Sequence, residues 1–158
     1  MVIAPPAISE VWTWLTEIPD PEVPALSIVD LGIVRNVQWD DEASELTITV
    51  TPTYSGCPAF DVILSDIQSC LQQHGVERLR LVTQLAPPWT TDWMNDAAKE
   101  RLRQYGIAPP SLISIERIVC PRCGSNETQL VSRFGSTPCK ALYKCRSCLE
   151  PFDAFKRH

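Results

Sequence analysis

The chain has 158 residues, 44% of them apolar and 21% charged, which suits one compact domain, or a domain with a small appendage, and excludes wholesale disorder. No apolar run approaches the roughly 18 residues that span a bilayer, and the opening Met1–Trp12 has no basic, apolar-cored leader, so a cytoplasmic protein without a membrane partner is expected. Charge is uneven: residues 1–118 carry 7 Lys/Arg against 16 Asp/Glu, a net −9, while residues 119–158 carry 7 against 3, a net +4, and the acidic body argues against nucleic acid as a partner.

In chain order, Ile8, Val11, Trp12, Leu15 and Ile18 follow helical spacing between Pro5-Pro6 and Pro19. Trp14 lies off that stripe. Three prolines in Pro19–Pro24 forbid helix or central strand and predict a rigid acidic loop holding Asp20 and Glu22. Asp30 is expected to cap a turn before Gly32. Ile33–Trp39 reads as a strand, with Ile33, Val37 and Trp39 on one face. A polar turn, Asp40–Ser44, joins it to Glu45–Val50, where Leu46, Ile48 and Val50 alternate with polar residues. After Thr53–Pro58 a second helix buries Phe60, Ile63, Leu64, Ile67, Cys70 and Leu71, and Gly75 ends it. His74 is expected at the helix C-terminus. Leu79, Leu81, Thr83 and Leu85 alternate through a third strand, which follows a helical crossover and so pairs in parallel with a hairpin strand. Pro87-Pro88 stops it, and a third helix fits Thr91–Gln104. The order α-β-β-α-β-α predicts a small α+β sheet domain over residues 1–106, a linker over 107–118, and a β-rich zinc ribbon over 119–158.

The ribbon rests on cysteine spacing. Five of the seven cysteines lie in the last 39 residues, and an odd total argues against a disulfide framework. Cys120-Pro-Arg-Cys123 and Cys145-Arg-Ser-Cys148 each curl two thiolates onto one ion, and together they complete a tetrahedral site for zinc. Four thiolates leave no position for a substrate, so this zinc is expected to be structural. The intervening 21 residues fit a hairpin built from Glu127–Phe134 and Ala141–Tyr143, with Pro151–Phe155 as another strand. Cys139 stands outside the pairs. It either swaps into the zinc site, remains a thiol activated by Lys140 and Lys144, or packs in the ribbon core. The basic tail also reads as a docking surface for an acidic partner, or for the chain's own body.

Cys57 precedes Pro58, and proline favours a first helical turn, so Cys57 is expected as a helix N-cap with a thiolate stabilised near neutral pH. The bland alternative is an inert cap. Cys70 reads as core, and Asp20 and Glu22 either bind metal or a partner or form a solvated loop. No Ser-His-Asp set, glycine-rich phosphate loop or Glu-x-x-His pair is present.

Asp20-Pro21-Glu22, Asp30–Val34 and Thr53–Pro58 resemble the signature of the iron–sulfur assembly domain shared by SufT-type carriers and a cytosolic iron–sulfur targeting factor. With the ribbon, Trp89–Met94 and Phe134–Thr137, the chain resembles the PaaD family, the D components of bacterial phenylacetyl-CoA epoxidase. The ribbon lies outside the broader assembly domain. The resemblance implies a non-enzymatic factor that assembles or inserts a metal cluster for the oxygenase or the iron–sulfur reductase component. Cys57 would be its working thiol, Cys139, a second subunit of a homodimer or the client would supply a second thiol, and Asp20 and Glu22 would face Cys57. A transient iron–sulfur cluster or iron would join zinc as a bound metal. Against this stand a scaffold that docks on the epoxidase, a nucleic-acid-binding ribbon, and thiol–disulfide exchange.

Overall fold

The computed structural model describes residues 4–110 and 118–156. The middle of the expected linker, residues 111–117, lies outside them. The chain divides into two compact units, Met1–Trp89 and Thr90–His158.

In the first unit, α1 (Ile8–Leu15) buries Val11 and Leu15, while Ile8 at its start is exposed. β1 (Val34–Asp40) and β2 (Glu45–Val50) form the expected antiparallel hairpin. Its turn is closed by the Asp40 carboxylate, which accepts the backbone N–H groups of Glu42 and Ala43. A register shift between Val34 and Asn36 breaks the period of two, so Val34 and Val37, three apart, are both buried. β2 is the central strand. Its Leu46, Ile48 and Val50 are fully buried. α2 (Phe60–Gln73) returns the chain, and β3 (Leu79–Thr83) pairs in parallel with β2, as the crossover requires. Leu85 lies beyond the strand and is exposed. α2 buries Ile63, Ile67 and Leu71. Trp14 of α1 stacks on His74, the C-cap of α2, with ring centroids 4.3 Å apart. Cys70 is half-buried, its thiol directed at the Trp14 carbonyl.

A turn before β1 is built by side chains. The Asp30 carboxylate accepts the Ser27 N–H, and the Ser27 hydroxyl accepts the Asp30 N–H. Trp89 then closes the unit. Its indole N–H donates to the Leu31 carbonyl at 2.7 Å, and the ring is buried.

The second unit begins with a 3₁₀ turn, Thr91–Trp93, and α3 (Asp96–Tyr105) starts afresh at an Asn95 cap. Gly106 at φ 94° ends it. The next two residues, β4 (Ile107–Ala108), pair in parallel with β7 (Pro151–Phe155). β5 (Thr128–Ser132) and β6 (Lys140–Cys145) complete a sheet of order β4-β7-β6-β5. The order α-β-β-α-β-α and the β-rich ribbon are as expected. The grouping differs from a boundary at 106: α3 belongs to the ribbon's unit, and Ile107–Ala108 is strand rather than linker. A two-residue strand carries no periodicity that a sequence reading can detect.

Candidate functional site

Each unit carries one candidate site. In the ribbon, both knuckles use the same backbone device. The N–H of Cys120 donates to the Ser125 carbonyl, and that of Cys145 donates to the Glu150 carbonyl. The residue after each pair is left-handed: Gly124 at φ 76° and Leu149 at φ 66°. These turns bring four sulfurs within 4.8 Å of one another. The Cys120 and Cys148 sulfurs are 3.8 Å apart, and those of Cys123 and Cys145 are 3.5 Å apart. A tetrahedron with metal–sulfur bonds of about 2.3 Å has edges of about 3.8 Å, so the group fits a metal such as zinc. Among the described residues no other group of three or more metal-ligating side chains converges in this way.

The local electrostatics of this group are divided. Backbone N–H groups, foremost that of Cys148, lower the Cys145 thiol to about 6. The Glu150 backbone pulls Cys148 down, but burial and the sulfurs of Cys145, Cys123 and Cys120 outweigh it and push Cys148 up to about 12. Once one thiolate has formed, its neighbours resist ionising until a cation joins them.

In the first unit, the loop after β2 carries Cys57 and the loop after α1 carries Asp20 and Glu22. The Tyr54 hydroxyl donates to the Glu22 carboxylate at 3.3 Å, linking the two loops. Tyr54 and the Ala59 backbone also hydrogen-bond to Cys57, and the carboxylates of Glu22 and Asp20 act on its sulfur electrostatically. Asp20 is buried rather than solvated. Its Oδ1 accepts the N–H groups of Glu22 and Val23, and its own N–H donates to the Leu26 carbonyl. It builds the proline-stiffened loop that presents Glu22.

Two expectations about Cys57 are corrected. The N-cap of α2 is Ala59, not Cys57, because Pro58 and Ala59 form a turn in which the Cys57 carbonyl accepts the Phe60 N–H. The thiol is also raised, not lowered, from its ordinary value. Burial is the largest cause, the Tyr54 and Ala59 hydrogen bonds oppose it, and Glu22 and Asp20 add to it. Cys57 is therefore a half-buried thiol at neutral pH.

Cys139 is outside the four-sulfur group and almost wholly buried, with its sulfur 2.9 Å from the Thr137 hydroxyl. Lys140, expected to activate the Cys139 thiol, is also buried, at 5% exposure, on β6 opposite Phe155. The hairpin loop that encloses them is pinned from β7. Ser136 donates through both its hydroxyl and its N–H to the Asp153 carboxylate, and Lys156 donates to the Pro138 carbonyl. The sequence reading missed Tyr54. Its position three residues before Cys57 was a usable signal, but a tyrosine in a loop carries no pattern of its own.

A small α+β domain in which two loops meet at a half-buried thiol, followed by a four-cysteine ribbon that fits a metal, defines a two-part metal-binding chain. The family described as "Iron-sulfur cluster assembly protein" matches residues 8–77, and the "PaaD zinc beta ribbon domain" matches residues 112–156. The chain belongs to the PaaD family: it is 52% identical over 159 aligned positions, 98% of this chain and 95% of its relative, to an Escherichia coli protein named as a component of 1,2-phenylacetyl-CoA epoxidase. A Staphylococcus aureus protein named "Fe-S protein maturation auxiliary factor SufT" is 35% identical over 81 residues, 51% of this chain and 90% of its own length. The structure of a domain of unknown function from Bacillus anthracis covers 60% of this chain and 90% of its own, with a TM-score of 0.56 and 31% identity. Among the described residues no helix is long and apolar enough to cross a membrane.

Proposed function

We propose that the chain is a non-catalytic accessory factor that assembles or inserts an iron–sulfur cluster in a multicomponent phenylacetyl-CoA epoxidase of the cytoplasm. The observation that carries this reading is the surroundings of Cys57: a domain related to iron–sulfur maturation factors presents one thiol beside Glu22 and Tyr54, at the meeting of two loops. One thiolate with a carboxylate nearby is a poor lasting cage for a cluster, which favours transfer over storage. Cys120, Cys123, Cys145 and Cys148 hold a zinc ion that folds the ribbon, and their four thiolates leave it no open position. When bound, the zinc supplies a structural cross-link and no reaction step. Cys139, buried and bonded to Thr137, serves the ribbon's packing rather than the transfer.

The partners on this reading are the oxygenase or the iron–sulfur reductase component, not nucleic acid. The test is anaerobic co-expression of those components with and without this chain, followed by iron and sulfide analysis of each. The reading expects a component poor in iron when the chain is omitted. Equal metal content in both cultures overturns it.

A second reading, a scaffold that docks on the epoxidase, draws on the ribbon surface. Leu130, Val131, Phe134 and Leu149 are exposed there, beside the exposed cations Arg133, Lys144 and Arg146. A scaffold would keep complexes together without changing the metal content of their parts.

A further inference from the structure

β5 ends the four-stranded sheet, and among the described residues no strand pairs with its outer side. The register fixes which backbone groups face that side. The Cys145 N–H donates to the Glu150 carbonyl, away from β5. Thr128, opposite Cys145, and Leu130, opposite Tyr143, therefore turn their backbone groups outward. The Thr128 N–H is taken by the Asn126 carbonyl, so Leu130 presents the open N–H. Sheet edges are commonly blunted by lysine, proline or a bulge. Thr128–Ser132 contains no charged residue and no proline, and its register shift comes only after Leu130.

The two faces of this edge differ in chemistry. On one, Phe152, Tyr143 and Leu130 form a cross-strand row, with the Phe152 and Tyr143 rings stacked. Phe152 is buried, Tyr143 half-buried and Leu130 45% exposed, so the apolar row reaches the edge and ends there. On the other face Gln129 lies opposite Lys144, and the Arg146 guanidinium donates to the Gln129 side-chain oxygen at 3.3 Å. Both cations are exposed. The ribbon carries a net +4, although Glu127 flanks the strand.

We propose that the β5 edge takes up an extended segment of a partner protein whose side chains alternate apolar and acidic. The added strand bonds to the Leu130 backbone, continues the apolar row beside Leu130, and sets its carboxylates near Lys144 and Arg146. A second copy of the chain fits worse, because pairing two β5 edges brings both sets of cations together. The inference is independent of Cys57: it concerns how a partner is held, not what is transferred.

The test uses the zinc-loaded full chain and a short fluorescent peptide in which glutamate alternates with valine. Anisotropy follows binding, and NMR hydrogen exchange follows the Leu130 N–H. That N–H should exchange freely in the chain alone and about tenfold more slowly with peptide bound. A peptide of the same composition, with its glutamates and valines in separate blocks, should bind about fivefold more weakly. Leu130→Lys adds a cation, which would strengthen simple charge attraction, yet it should weaken binding by about the same factor. Retained zinc confirms that this surface variant is folded. Lys144→Gln should weaken binding and flatten its salt dependence. Failure of the alternating peptide to bind overturns the proposal, as does equal binding of the block peptide or tighter binding by Leu130→Lys. A Leu130 N–H already protected in the free chain also overturns it, and protection that grows with chain concentration identifies a second copy as the occupant. Tighter binding of a single-stranded oligonucleotide than of the peptide overturns it in favour of nucleic acid.

Discussion

Replacing Cys120 by serine should separate the ribbon from its metal without altering the first unit. The side chain is almost fully buried, and its sulfur sits 3.8 Å from that of Cys148. A hydroxyl holds zinc far less well than a thiolate. Structural zinc contributes about 10–16 kcal/mol of folding free energy in small cysteine sites. If the four ligands share that equally, losing one costs about 3 kcal/mol or more. The apolar cluster around the knuckles is small: Ala108, Ile118, Phe152 and Ala154 pack on Cys120 and Cys145, with Tyr143 alongside. It has little reserve to absorb such a loss. At about 4–8 °C per kcal/mol for a unit of this size, the ribbon transition should fall by about 12–24 °C or disappear. Calorimetry and a chromophoric zinc assay measure the two effects. Cys139→Ser is the control, since Cys139 lies outside the sulfur group, and it should keep full zinc. Stoichiometric zinc in Cys120→Ser, with an unshifted transition, would refute the reasoning.

Zinc retention should fall with acid. In the metal-free site Cys148, pushed up to about 12, holds its proton at pH 7, while Cys145, lowered to about 6, has mostly lost its own. Zinc uptake at pH 7 therefore expels a proton from Cys148, and below pH 6 it must also expel one from Cys145. Titration calorimetry in buffers of different ionisation enthalpy should record proton release that grows as pH falls; release independent of pH would contradict this. Gly135→Ala should destabilise the ribbon by about 1–3 kcal/mol, because the new Cβ meets the Asp153 carboxylate that holds Ser136; denaturant unfolding tests it. Thr51→Val should stabilise the first unit by about 1 kcal/mol, since the buried Thr51 hydroxyl has no hydrogen-bond partner, and a higher urea midpoint is the readout.

Much of the fold was legible because its signals are periodic. Alternation located β2, helical stripes located α1 and α2, and two Cys-x-x-Cys pairs located the knuckles. What the sequence concealed depends on local geometry or on a partner distant in sequence. A third helix from Thr91 ran through Met94, but the structure breaks there into a 3₁₀ turn and a fresh Asn95 cap. Lys140 was expected only as a cation beside Cys139, yet it is buried where β7 pairs with β6, a rare place for lysine. Cys57 read as a cap from the proline rule, but the Pro58–Ala59 turn moved the helix start two residues on. Its expected activation failed with it, because burial and two carboxylates outweigh the hydrogen bonds that favour the thiolate.

The meeting of Asp20, Glu22, Tyr54 and Cys57 was only half legible. Proline stiffness predicted a fixed acidic loop, but not that Asp20 spends its carboxylate on the backbone while Glu22 faces Tyr54. The left-handed Leu149 had no signal at all, since the equivalent position in the first knuckle is the glycine that such a turn favours.

The central claim is that Cys57 carries the transfer. Serine keeps nearly the size of the side chain, and Cys57 is neither a helix cap nor a zinc-group sulfur, so Cys57→Ser should fold and retain ribbon zinc. The decisive measurement is the iron and sulfide content of the epoxidase components isolated from cells that carry only this variant. The account predicts components depleted of cluster beside a folded, zinc-loaded variant. Full cluster content would contradict it.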